Sequence, residues 1–300
     1  MDFWLGFHVL LFAALALDLG LNPVKSTAIS TRTSALWSVF WVVLSILFGV
    51  YIWQVFGAKS GMDYATVYVM EKLLSLDNLF IFLLIFKTLK IERRFQHRIL
   101  FWGILGAIFF RGLAIVAGIE LLAQFWWTAY VFGALLIFSG VKLLGTADKP
   151  EDDSLAGGAL LQALKGKFKN IQDGRFIIWE DKKFSLTILM LALCAIEVAD
   201  IVFALDSVPA ALAITSDFRV VYTANVMAIL GLRALYSLLA ALITAIPMLH
   251  QGLAVTLVFI GAKMGLAPHY HIETYQLLLV ILIILGISIA WGRLRSRRVS

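Results

Sequence analysis

The sequence predicts an all-α, polytopic transmembrane helix bundle of about nine spans. Three observations carry that prediction. Of 300 residues, 61% are hydrophobic and only 15% are charged, a balance that excludes an ordinary soluble domain. The apolar residues gather into nine runs, each enough to cross a bilayer core, which takes roughly 20 residues, with the sixth, at about 30, longer than a span requires. Two of those runs carry carboxylates at their centres, and the segments around them repeat one another.

The runs are residues 2–21, 35–56, 65–88, 97–119, 125–145, 185–214, 218–244, 250–266 and 274–292. The first opens MDFWLGFHVL with no basic stretch before it, so it reads as a span and not as a cleaved signal peptide. With the N-terminus outside, the cytoplasmic loops hold Lys25 and Arg32, then Lys87, Lys90, Arg93, Arg94 and Arg98. They also hold the 146–184 loop, with Lys165, Lys167, Lys169, Arg175, Lys182 and Lys183, and the tail RLRSRR. The opposite loops carry little beyond Lys59. The excess of basic residues on one side predicts an N-out, C-in orientation. It also accounts for the net charge of +6 without invoking nucleic acid.

One membrane domain over residues 1–300 is expected, with the 146–184 loop as its only sizeable extramembrane segment. That loop begins DKPEDD and continues LLQALKGKFKN, which reads equally as a basic amphipathic helix on the inner leaflet or as a solvated linker. Its end, GRFIIWEDKKF, fits a small hairpin. The sequence has no P-loop, dinucleotide fingerprint or HExxH motif, so no enzymatic activity and no cofactor are expected. The single Cys194 excludes an internal disulfide and a thiolate cluster.

The third span contains EKLLSLDN and the sixth DIVFALDS. Placed in register, Glu71 matches Asp200, Asp77 matches Asp206, and Asn78 matches Ser207. The register persists: ILGAIFFRG with Arg111 matches ILGLRAL with Arg233, and FSGVK with Lys142 matches FIGAK with Lys263. Spans 3–5 (about 65–145) therefore repeat as spans 6–8 (about 185–266). Three is odd, so the repeats are predicted to lie inverted in the membrane, the arrangement of many secondary transporters, whose sites lie near the midplane.

Intramembrane acids are expensive and functional by default. Here they are Glu71, Asp77, Glu197, Asp200 and Asp206. Asp18 fits either a site residue or an end-of-span anchor. Arg111 and Arg233 are the deep bases and are assigned as charge-compensating. Lys142 and Lys263 lie near helix ends, and Lys72 fits a helix-end or pairing role. Carboxylates, Asn78, Ser207 and carbonyls make an all-oxygen set, which suits Mg²⁺, Ca²⁺ or Mn²⁺ better than Zn²⁺ or Cu⁺. The competing reading is that the acids only form buried salt bridges with Arg111 and Arg233. His269, His271 and Glu273 in HYHIE read as an ordinary interfacial loop, and Trp126, Trp127 and Tyr130 as an aromatic belt. Pro209 is expected to kink or break span 6 and to free the Leu205 carbonyl. Residues six apart lie about 120° apart on a helix. Glu71 and Asp77 thus reach one ion only if the helix unwinds, unless there are two sites.

EKLLSLDNLF, RILFWGILGAIFFRG and EVADIVFALDSVPA followed by NVMAILGLRALY closely resemble the TerC family of integral membrane proteins, from about Asp18 to Arg293. The family was named for tellurite resistance, and its bacterial members of this type look like manganese exporters related to the LysE superfamily. The resemblance implies a multi-pass protein of the bacterial inner membrane that exports Mn²⁺ as substrate. It implies that Glu71, Asp77, Glu197, Asp200 and Asp206 bind the ion, with Asn78 and Ser207 as helpers. The sequence has TAN at 223–225 where the family often has TSN, which removes a hydroxyl at Ala224 and leaves Asn225. Plant relatives look like thylakoid insertion factors, so a membrane-protein assembly role is the reading from another class. Export of Ca²⁺ or of an oxyanion is the remaining alternative.

Overall fold

The computed structural model describes residues 3–21, 31–146, 164–166, 168–171, 173–180, 183–232, 234–236, 249–266 and 272–299. Lys167, Lys182, Arg233, His269 and His271 lie outside the described residues, as do the side chains of Asp18 and Asp77.

The described chain is an α-helical bundle. Its helices are α1 (Phe3–Leu21), α2 (Thr31–Phe56), α3 (Ala58–Leu89), α4 (Arg93–Gln124), α5 (Thr128–Thr146), α6 (Ile188–Leu212), α7 (Phe218–Ile229), α8 (Leu249–Leu266) and α9 (Thr274–Val299). By length and composition, α2, α4, α5 and α6 each contain a stretch able to cross a membrane. These helices are apolar all round, which a soluble bundle avoids. On α2, for example, Leu36, Val39, Val43, Leu47 and Val50 are exposed at helical spacing while Trp41, Phe48 and Ile52 are buried.

Local chemistry sets the joints. The α2–α3 turn is a single residue, Gly57, at φ +91°, a conformation open to glycine at little cost. Asp217 caps α7 by accepting from the Arg219 backbone N–H at 3.0 Å. The expected hairpin is present: β1 (Ile177–Glu180) pairs antiparallel with β2 (Lys183–Leu186). It leads through Thr187 into α6. The Thr187 hydroxyl donates to the Arg175 and Phe176 carbonyls and so holds the hairpin at the mouth of that helix.

Two expectations need correcting. Span 6 does not break at Pro209, because α6 runs on to Leu212. The proline sits in the last turn, where only the Leu205 carbonyl loses its usual donor. Span 7 is the interrupted one. α7 stops at Ile229, the chain turns at Leu230–Gly231, and helix resumes immediately afterwards. The Ala228 carbonyl at this break accepts from Lys72 Nζ at 3.0 Å. A side chain on Gly231 would collide with that ammonium group and with Trp41. Lys263 plays the same part at the end of α6, donating to the Ala213 carbonyl at 2.8 Å. Both lysines thus satisfy helix C-terminal carbonyls, where positive charge is favoured.

α3 packs against α7, α4 against α6, and α5 against α8. The last pair approaches closely through small residues. A Cβ on Gly261 would lie 2.6 Å from the Gly133 carbonyl oxygen, and one on Gly140 would lie 2.6 Å from that of Ala254.

Three apolar clusters fill the bundle. One gathers Phe7, Trp41, Tyr64, Ile115, Val208 and Val221. A second gathers Leu79, Phe86, Phe95, Ile99, Ile196 and Ile229. The third joins Met70, Leu136 and Ala210 to α8 and α9. Along α3, α4 and α6 the first two clusters are separated by a single polar layer.

Candidate site: an arginine-centred carboxylate layer

Glu71 falls between Tyr68 and Leu79 on α3, Arg111 between Ala107 and Ile115 on α4, and Asp200 between Ile196 and Ala204 on α6. Each apolar neighbour belongs to one cluster or the other, so the polar layer is closed on both sides. Arg111, Glu71, Asp200, Asn78, Ser207 and Asn225 are all buried.

Arg111 is the hub. Its Nε and Nη2 donate to the two oxygens of Asp200 at 3.1 and 2.9 Å, a bidentate fork. Nη1 donates to Glu71 Oε2 at 2.7 Å and to Asn225 Oδ1 at 3.1 Å, with Ser207 Oγ at 3.4 Å. With its oxygen turned toward the hub, Asn78 accepts from Nη2 at 3.2 Å while its amide nitrogen donates to the Leu74 carbonyl. Every N–H of the guanidinium has an acceptor. Removing an ion from water costs several kcal/mol, and only such complete pairing offsets it. Two carboxylates share one guanidinium. Among the described residues, Glu71 Oε1 and Asn225 Nδ2 have no hydrogen-bond partner.

The remaining acids lie elsewhere. Asp206 faces α5 and accepts from Ser139 Oγ at 2.7 Å. Since α6 does not unwind, Asp200 and Asp206 point to different neighbours, as their six-residue spacing requires. Glu197 does face α4, like Asp200, but it lies over Gly106, where any Cβ would overlap its carboxylate. Among the described residues, no three His, Cys, Asp or Glu side chains converge on one point. Of the sequence candidates, the structure thus unites Glu71, Asn78, Asp200 and Ser207 around Arg111. It turns Asp206 to α5, while Glu197 shares the α4-facing side of α6 with Asp200 without a hydrogen bond to Arg111 among the described residues. Sequence reasoning left Asn225 and Ser139 out of the site. The NVMAILG segment held the signal for Asn225, an amide at the centre of an apolar helix, while Ser139 gave none.

A narrow apolar pocket lined by Phe82, Leu100, Gly103, Ile196, Ile229 and Leu232 touches Asp200 on the side of the α3–α4 turn.

Apolar helices long enough to span a bilayer, packed around one buried polar layer, define an integral membrane protein. Residues 56–300 match the model of the integral membrane protein TerC family, and the chain belongs to that family. It is 40% identical over 297 residues to an uncharacterized membrane protein of Myxococcus xanthus, covering 98% of this chain and 92% of that one. It is 39% identical over 282 residues to the Escherichia coli K12 protein named "Putative membrane-bound redox modulator Alx", covering 90% and 87%. An uncharacterized membrane protein of Rickettsia bellii is 39% identical over 288 residues, covering 95% of each chain. No solved structure matches the chain.

Proposed function

We propose that this protein exports Mn²⁺ from the cytoplasm across the bacterial inner membrane, through a carboxylate site between two inverted three-helix repeats. The observation that carries the reading is the meeting of Glu71 and Asp200. They occupy equivalent positions in the two motifs, come from different helices, and share one buried arginine. A divalent ion neutralises both carboxylates, whereas Arg111 neutralises one.

The packing supports the repeat. A two-fold relation exchanging α3 with α6, α4 with α7 and α5 with α8 turns the α3–α7 contact into the α6–α4 contact and leaves α5–α8 paired with itself. The same exchange maps the close approach of Gly140 to Ala254 onto that of Gly261 to Gly133. Nine spans with the N-terminus outside follow from the apolar runs and the basic loops. The pocket at Asp200 then opens toward the cytoplasm and serves as the entry path.

In this scheme Mn²⁺ binds Glu71 and Asp200, with Asn78 and Ser207 completing a hard-oxygen set. Arg111 yields its place to the ion and returns when the ion leaves, so that the closed layer never holds two unpaired carboxylates. Asp77, Asp206 and Glu197 line the route, and protons compete with the metal for these acids, coupling export to proton entry. Two repeats rocking about the α5–α8 contact would provide alternating access.

The relatives named for redox modulation raise a second reading. Here the single Cys194 supplies no dithiol pair for an internal thiol–disulfide couple. The test is cell-associated manganese in challenged cells lacking their own exporters. Cells carrying the protein are expected to hold several-fold less manganese than those with an empty vector. Glu71→Gln with Asp200→Asn, and Asp77→Asn with Asp206→Asn, are expected to abolish that difference. Unchanged manganese at normal expression would discard export in favour of membrane-protein assembly.

A further inference from the structure

We infer that the β1–β2 hairpin is an anionic-lipid contact of the leaflet that holds the α3–α4 turn. The antiparallel register puts Trp179 opposite Phe184 and Ile177 opposite Leu186. Successive residues alternate faces, so these four share one side of the ribbon. Ile178, on the other side, is buried against the protein. Trp179 is 75% exposed and Phe184 57%, with Ile177 also exposed, and the two rings meet edge to face at 6.2 Å. Such a face presented to water is costly for a two-stranded ribbon.

Its position identifies the occupant. The hairpin feeds directly into α6, one of the helices apolar enough to span the bilayer, through the Thr187 hydrogen bonds. It also leans on the start of α4, where Arg98 lies over the Phe176 ring at 5.6 Å. The aromatic face therefore sits at the depth where a membrane-spanning helix enters the headgroups, the level favoured by Trp and by basic side chains. Charge agrees with that placement. Lys169 and Arg175 are exposed beside the hairpin, Arg175 in an exposed ion pair with Asp173, and Lys90, Arg93 and Arg94 lie exposed on the neighbouring turn, Arg94 paired to Glu92, so the basic side chains outnumber these acids five to two. Basic residues at this depth are drawn to an anionic lipid surface. The aromatic side chains enter the acyl boundary while the basic ones hold lipid phosphates. A headgroup such as phosphatidylglycerol offers both partners at once.

The test uses full-length protein with Cys194→Ala and a single new cysteine, Trp179→Cys or Phe184→Cys, carrying an environment-sensitive fluorophore. Each is reconstituted in phosphatidylcholine vesicles with and without phosphatidylglycerol. Both labels are expected to be quenched by brominated lipid and shielded from aqueous iodide. The lipid quenching should rise severalfold with phosphatidylglycerol and lose that gain in Lys169→Gln/Arg175→Gln. Equal lipid quenching in both vesicles would overturn the anionic specificity. Quenching by iodide alone, or self-quenching that grows with protein density, would overturn the lipid contact in favour of a solvated face or a second copy. Neither readout depends on manganese transport.

Discussion

Arg111 stands where a charge is least tolerated. It survives there because two carboxylates, two amides and a hydroxyl take all of its protons. Removing it strands Glu71 and Asp200. Arg111→Met is expected to destabilise the protein by about 3–5 kcal/mol, as broken buried pairs do. The triple variant Arg111→Met/Glu71→Gln/Asp200→Asn should recover much of that loss, since it discards the ions together. Thermal unfolding of the three proteins in one detergent would read this directly. A triple variant as weak as the single one would mean that packing, not charge, sets the cost. At this scale the sequence revealed the charged residues themselves, because an ionised group in an apolar run is conspicuous. It did not reveal that Asp206 turns to α5 or that Glu197, beside Asp200, makes no hydrogen bond to the hub among the described residues. Their partners, Gly106 and Ser139, are small residues on other helices and carry no periodic signal.

At the scale of elements, α3 and α6 remain intact through their acidic motifs, while α7 is interrupted at Leu230–Gly231. Lys72, next to Glu71 in sequence, crosses to the broken end and bonds the Ala228 carbonyl. A hydrogen bond from a charged donor contributes about 1.5–3 kcal/mol. Lys72→Met is therefore expected to lose roughly that much and to loosen α7 around Asn225, one turn upstream. Hydrogen–deuterium exchange should show faster exchange of the 225–232 amides in the variant, with α5 and α8 unchanged. An identical exchange map would remove Lys72 from any role at the break. Sequence pattern missed this interruption for a physical reason. The segment ILGLRAL is apolar and has no proline, and one glycine is an ordinary sight in a spanning helix. Proline at 209 was the louder signal and proved the weaker breaker, because so close to the helix end it removes a single backbone bond, the one to the Leu205 carbonyl, and the chain runs on to Leu212.

For the whole molecule, the basic residues predict which side each loop faces. Single cysteines placed at Lys59 and Lys90, in a Cys194→Ala background, should differ in labelling by a membrane-impermeant maleimide on intact cells. Lys59→Cys is expected to react and Lys90→Cys to react only after lysis. Reaction at both positions in intact cells would defeat the N-out arrangement and with it the direction of transport. By itself the sequence determined the membrane-embedded all-α class, and through its quoted motifs the family, along with the matching of two acidic segments. Each of these is a matter of composition or of local motifs along the chain. The tertiary structure alone decided which acids meet, that one arginine holds them, and where a helix gives way. Those outcomes depend on the approach of segments distant in sequence. Glu71 and Asp200 are brought to Arg111 by the packing of α3 and α6 around α4, and the charges can stay buried only where that packing leaves none of the arginine's donors unpaired.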